Sequence, residues 1–142
     1  MKINLFLFFC IFFFSSNAQS YEISRVEIQN NNSSSVYIAA EVMTTERQQT
    51  RGMMYRKSLD KDKGMLFLFK EPKKAVFWMK NTYIPLDLIF IKKGGGIDSI
   101  HENLEPLSTK KIKSRDDVIA VLEILGGQVK VNNINLDSKI LF

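Results

Sequence analysis

Cysteine is nearly absent from this chain. Its single copy, Cys10, lies inside an apolar N-terminal run, and the small residues that a lipoprotein cleavage site requires do not precede it. Once that run is removed, no disulfide is available and the fold must hold by its core alone. Histidine is equally scarce: His101 stands alone in its segment, which reads as a surface or loop position rather than a general base. There is no G-x-S-x-G nucleophile elbow, no phosphate-cradling glycine loop, no H-E-x-x-H and no C-x-x-C. The glycines of Lys92–Gly96, KKGGG, lack the flanking strand and helix of a phosphate loop and read as a turn. Also missing is a long block of one charge. The formal net charge is +5, but the basic residues are spread between Lys57–Lys74 and Lys110–Arg115. Such a distribution gives no nucleic-acid footprint.

The chain opens with one lysine, an apolar run from Ile3 to Phe14 and then small and polar residues. Ser16 and Ala18 stand three and one positions before a cut after Ala18. This is the layout of a secretory signal peptide over residues 1–18. The run is shorter than the ~20 residues that span a bilayer, so no stable membrane span is expected after cleavage. Export to the periplasm or beyond is the expected location. Residues 19–142 are then one domain's worth of chain.

Short apolar stretches separated by turns dominate that domain. Tyr21–Gln29 reads as an edge strand, Asn30–Ser35 as a turn, and Val36–Met43 as a strand with Val36, Ile38, Ala40 and Val42 on its inner face. Thr44 or Thr45 caps a short helix starting near Glu46, and Gly52 ends it. Met65–Phe69 is an apolar strand that Pro72 stops. Ile97–His101 resumes after the glycine turn, and Asn103–Arg115 is mostly loop. Asp116–Leu125 fits a helix by spacing and a strand by its β-branched content. The expected fold is mainly β, a compact barrel or sandwich with one or two short helices.

The stretch Phe77–Ile91, FWMKNTYIPLDLIFI, carries the most chemistry. It reads as two strands joined near Thr82–Pro85, with Lys80, Asn81 and Asp87 embedded among apolar residues. A charged carboxylate inside a buried strand costs on the order of several kcal/mol unless it is paired, and Arg51, Arg56 and Lys80 are its natural partners. Trp78, Asn81 and Asp87 are also the residue types of a sugar site: an aromatic platform, an amide and an acid. Glycoside hydrolysis would need a second carboxylate facing Asp87, and Glu46, Glu102 and Glu123 qualify by type only. Met43, Met53, Met54, Met65 and Met79 are numerous, but they lack the spacing of a compact thioether copper motif and read as core filling.

Taken together, ERQQTRGMMYRKSL, GMLFLF, FWMKNTYIPLDLIFI and GIDSI resemble the DUF192 family over roughly residues 22–142. The family's R-G-L/M-M falls on Arg51–Met54 and its following arginine on Arg56. Its G-M-L-F falls on Gly64–Phe67, its W-M-K-N-T on Trp78–Thr82 and its P-L-D on Pro85–Asp87. Val121–Glu123 with the glycines after it resembles the family's V-L-E, while Asp137–Ser138 departs from the glycine and aspartate expected before the last strand. The resemblance implies a small β-barrel or sandwich of unassigned biochemical function.

The expected role is an exported accessory domain that binds a small polar or saccharide-like ligand through Arg51, Arg56, Trp78, Lys80, Asn81 and Asp87. No catalytic residue, metal or cofactor is assigned. Two alternatives belong to other classes: an envelope carbohydrate hydrolase with paired carboxylates, and a structural partner of an envelope protein.

Overall fold

The computed structural model describes residues 20–142, and the signal peptide expected at residues 1–18 lies outside the described residues. The elements run β1 (Ile23–Gln29), β2 (Ser35–Met43), α1 (Glu46–Arg51), β3 (Lys63–Lys73), β4 (Val76–Phe77), β5 (Leu86–Ile91), β6 (Ile97–Leu104), β7 (Ile112–Lys113), β8 (Val118–Leu125), α2 (Gln128–Val131) and β9 (Lys139–Leu141). Strands hold 46% of the described residues and helices 8%, which makes this the mainly-β chain that the short apolar stretches imply. Seven strands form a curled half-barrel sheet in the order β6-β5-β8-β3-β2-β1-β9, and β4 pairs with β7 as a small second sheet.

Within the large sheet only the β2–β3 pair is parallel. Parallel neighbours cannot be joined by a tight hairpin, so the chain must cross over a face of the sheet between them. That crossing carries α1 and Met53, and it covers one side together with β4 and β7. Met43, Met65, Phe67, Leu88, Phe90 and Val121 form the core on this side. The other side of the sheet buries Ile28, Ile38, Leu66, Ile89, Leu122 and Ile124 against Val129 of α2. β8 lies between β3 and β5 with both faces apolar. That is why its spacing fits either a helix or a strand, and why its β-branched content is the better guide.

The structure departs from the sequence expectation in three places. β1 is not an edge strand, because β9 pairs along its outer side with Ile28 opposite Ile140. β3 continues through Pro72, where the ladder to β8 slips between Leu68 and Lys73, so the missing proline N–H falls in an irregular stretch. β4 is only two residues long, and Trp78–Pro85 is loop rather than strand.

Asp87 corrects the expected ion pair. Its carboxylate is fully buried on the α2 side and accepts three backbone N–H donors: Asn103 at 2.7 Å, Gly127 at 3.0 Å and Val129 at 2.8 Å. Asn103 sits at the irregular β5–β6 pairing with φ +47°, and Gly127 precedes α2 with φ +87°. One carboxylate thus ties together the β6 bulge, the left-handed turn and the start of α2. Replacing it as Asp87→Ala leaves three backbone donors without their acceptor, the Val129 one fully buried, and is expected to cost about 3–5 kcal/mol. Urea unfolding should show a lower midpoint with an unchanged slope. Asp87→Asn, which keeps one acceptor oxygen, should lose less. An alanine variant within about 1 kcal/mol of the parent would refute the clamp.

Candidate functional site

Directly opposed residues on neighbouring strands share a face of a sheet. Pairing of Glu41 with Met65, Met65 with Glu123, Glu123 with Leu88 and Leu88 with His101 therefore sets one row across β2, β3, β8, β5 and β6. This row lies on the side covered by α1 and the small sheet, and it carries three titratable groups into an apolar layer.

The three are treated differently. Glu41 is satisfied by Arg56, whose two terminal nitrogens donate to the two carboxylate oxygens at 2.7 and 2.5 Å. That bond, opposed by partial burial, raises the basicity of the Arg56 guanidinium. His101 stacks edge-on to Phe90 with centroids 5.5 Å apart and leaves a buried Nε2 without a partner. Burial and the nearby Arg115 charge hold its imidazole below the ordinary range, with Asp98 acting the other way. Glu123 is only 5% exposed, and its Oε2 is sealed with no hydrogen-bond partner. Burial pushes this carboxyl up to about 8 against the opposing charge of Arg56, so it is mostly protonated at neutral pH.

Glu123 lines a cleft between α1 and the small sheet, a space of about 280 Å³. Glu46, Gln49, Thr50 and Arg51 form one wall. Phe67, Phe69 and Lys73 of β3, with Val76, Phe77, Trp78 and Thr82, form the other. The α1 wall is held in place by local chemistry. Thr45 and Gln48 make a capping box at its start, and the Gln49 side chain donates to the carbonyls of Met43 at 3.0 Å and Leu68 at 2.7 Å. Gly52 ends the helix with φ +46°, and a Cβ there would lie 3.2 Å from the Phe67 ring, so the close approach of helix and β3 requires glycine. Opposite, Phe77 meets Phe67 edge to face at 5.0 Å and Phe90 at 5.8 Å, which fixes the aromatic wall.

Of the residues singled out in the sequence, Arg51 and Trp78 line this cleft and the other four do not. Arg56 is engaged with Glu41. Lys80 is exposed, with its ammonium 5.6 Å from the Trp78 ring. Asn81 occupies a left-handed turn with φ +56° and donates to the Tyr55 hydroxyl at 2.9 Å, a structural tie between two loops. Asp87 lies on the opposite side of the sheet from Glu123, which rules out acid–base work by that pair. Sequence reasoning placed Glu123 only among acids of the right type, although a lone acid within V-L-E-I-L is the same signal that drew attention to Asp87. Met43, Met53, Met65 and Met79 are buried in the apolar layer of this side. Among the described residues no three His, Cys, Asp or Glu side chains gather as metal ligands, and no helix is long and apolar enough to cross a membrane.

The Glu123 carboxyl sets a pH dependence of stability. Its folded value of about 8 lies above the ordinary 4.5, so the folded state keeps a proton that the unfolded state releases. Its contribution is complete below about 4.5 and is lost as the pH rises through about 8. The slope should reach at most about 1.4 kcal/mol per pH unit. Thermal unfolding from pH 5 to 9 should show the parent losing stability across this window and Glu123→Gln losing much less. Parallel curves for the two proteins would exclude a protonated Glu123.

Comparison with known proteins agrees with the architecture. A crystal structure from Sinorhizobium meliloti 1021, provisionally called a transcription regulator, matches with a TM-score of 0.85 and 37% identity, over 87% of this chain and 95% of that one. A protein of unknown function from Novosphingobium aromaticivorans DSM 12444 matches with a TM-score of 0.84 and 30% identity, over 89% of each chain. No curated protein matches. The DUF192 family model, described as an uncharacterized ACR, matches residues 26–142, a span that holds the clamp, the cleft and Glu123 alike. The chain belongs to the DUF192 family.

Proposed function

We propose that this protein is an exported binding domain that holds a small polar ligand in the cleft between α1 and the small sheet. The observation that carries the reading is the Glu123 carboxyl, buried at the cleft and without a hydrogen-bond partner. Leaving such a group unsatisfied costs about 1–3 kcal/mol, and because Oε2 is itself sealed, a ligand would meet the carboxyl only at the edge of Glu123 that lines the cleft. Arg51 supplies a planar fork and Trp78 an aromatic surface, while Gln49 and α1 keep the wall rigid before the ligand arrives. Binding needs no covalent step. The leader-like residues 1–18 support a periplasmic or secreted location.

The transcription label belongs to the Sinorhizobium protein, and the helices of this chain do not support it. α1 and α2 are six and four residues long, too short to present a recognition helix to a major groove. The hydrolase alternative loses Asp87 as one of its paired carboxylates, since that residue lies on the far side of the sheet from the cleft.

Trp78 is the only tryptophan and is 43% exposed, so its emission reports cleft occupancy directly. A screen of small metabolites and sugars should yield a compound that changes Trp78 emission and raises the melting temperature. Arg51→Ala should weaken that compound about tenfold, equivalent to about 1.4 kcal/mol. Hits whose affinity is indifferent to both Arg51→Ala and Trp78→Ala would place binding elsewhere and refute the cleft.

A further inference from the structure

We infer that the cleft takes an organic acid carried on a flat apolar body, with its anion at Arg51, its ring against Phe77 and Trp78, and one of its oxygens accepting a hydrogen bond from Glu123. This deepens the binding reading above and rests on it.

Size is the first argument. At about 280 Å³ the cleft lies at the bottom of the ~300–1,000 Å³ range of small-molecule sites. It suits one ring with a short polar arm and is too small for an oligosaccharide. The walls point the same way, since they present the rings of Phe67, Phe69, Phe77 and Trp78 rather than a set of amides and acids for many hydroxyls. Phe67 is itself buried, and its edge-to-face contact fixes the Phe77 ring, which with exposed Trp78 forms the aromatic part of the wall.

Charge decides the sign of the ligand. Two cations, Arg51 and Lys73, and one acid, Glu46, line the cleft beside Glu123, and none of these three belongs to an ion pair among the described residues. Lys73 holds its ammonium 4.1 Å from the Phe69 ring, at the cleft wall. The other nearby cation, Arg56, is committed to Glu41, and His101 is separated from Glu123 by Leu88 in the same row. With no cation bonded to it, buried Glu123 favours its neutral form, which donates a hydrogen bond. A cationic ligand would instead need an ionised floor beneath a rim of net positive charge. An anion with an acceptor oxygen fits both the rim and the floor.

The test uses four probes on the protein purified from its producing cells: phenylacetate, 2-phenylethanol, phenethylamine and glucose, followed by Trp78 emission and by ligand-observed NMR. At pH 6.5 phenylacetate should bind at least about fivefold more tightly than 2-phenylethanol, with phenethylamine and glucose weaker still. Arg51→Gln should bring phenylacetate down to the level of the alcohol. Glu123→Gln, whose amide still donates, should keep phenylacetate binding at pH 6.5 and remove the weakening that the parent shows at pH 9.5. Phenethylamine or glucose binding as well as phenylacetate, or an acid preference that survives Arg51→Gln, overturns the inference while leaving the cleft as a binding site. Absence of binding by all four overturns the inference as well, and the broader metabolite screen then decides the cleft reading separately.

Discussion

Three backbone amides converging on the Asp87 carboxylate are the constraint on which the rest of this structure depends. The donors come from the β6 bulge, the Gly127 turn and the first turn of α2, so a single side chain fixes how three segments meet. It also fixes register. β5 pairs with β8 so that Asp87 faces Ile124 and, one residue on, Leu88 faces Glu123. A slip by one residue would exchange the faces of the whole strand. Holding Asp87 on the α2 side therefore holds Glu123 on the cleft side. The structural acid and the candidate functional acid are set by the same pairing.

Much of the fold is legible in the sequence where one local rule acts alone. The alternation of Val36, Ile38, Ala40 and Val42 marks β2, Thr45 with Gln48 marks the start of α1, and KKGGG marks the β5–β6 turn. The illegible parts are those in which tertiary partners override local pattern. β8 shows no clear period because both its faces are buried. The protection of β1 depends on β9, more than a hundred residues away in sequence, so no local signal tells that it is interior. Trp78–Asn81 reads as the end of a strand from its alternation, yet the left-handed Asn81 and the hydrogen bonds from Met79 to Ser108 and from Leu107 to Thr82 make it part of a loop stitched to another loop.

The same distinction explains the partial reading of the site. Trp78, Lys80, Asn81 and Asp87 are close in sequence, and closeness suggests a common pocket. The turn at Asn81 and the entry into β5 after Pro85 send them to different places: one to the cleft wall, one to solvent, one to a loop contact and one through the sheet. Composition shows that each acid in an apolar strand needs a partner. Which acid receives amides, which receives an arginine and which receives neither is decided only by three-dimensional contacts.

That last difference gives Glu123 its meaning. The fold has the means to satisfy acids within its sheet and uses them on the others, with the Arg56 fork on half-buried Glu41 and with backbone amides on buried Asp87 and Asp98. Glu123 shares a row with Glu41 and adjoins Arg56 closely enough to feel its charge, yet it makes no such bond. A buried acid without a partner is a local conflict in an otherwise consistent structure, and such conflicts concentrate at functional sites. An apolar residue at this position would relieve it. On the binding reading proposed above, a ligand at the cleft edge of the same carboxyl would turn this local cost into a source of affinity.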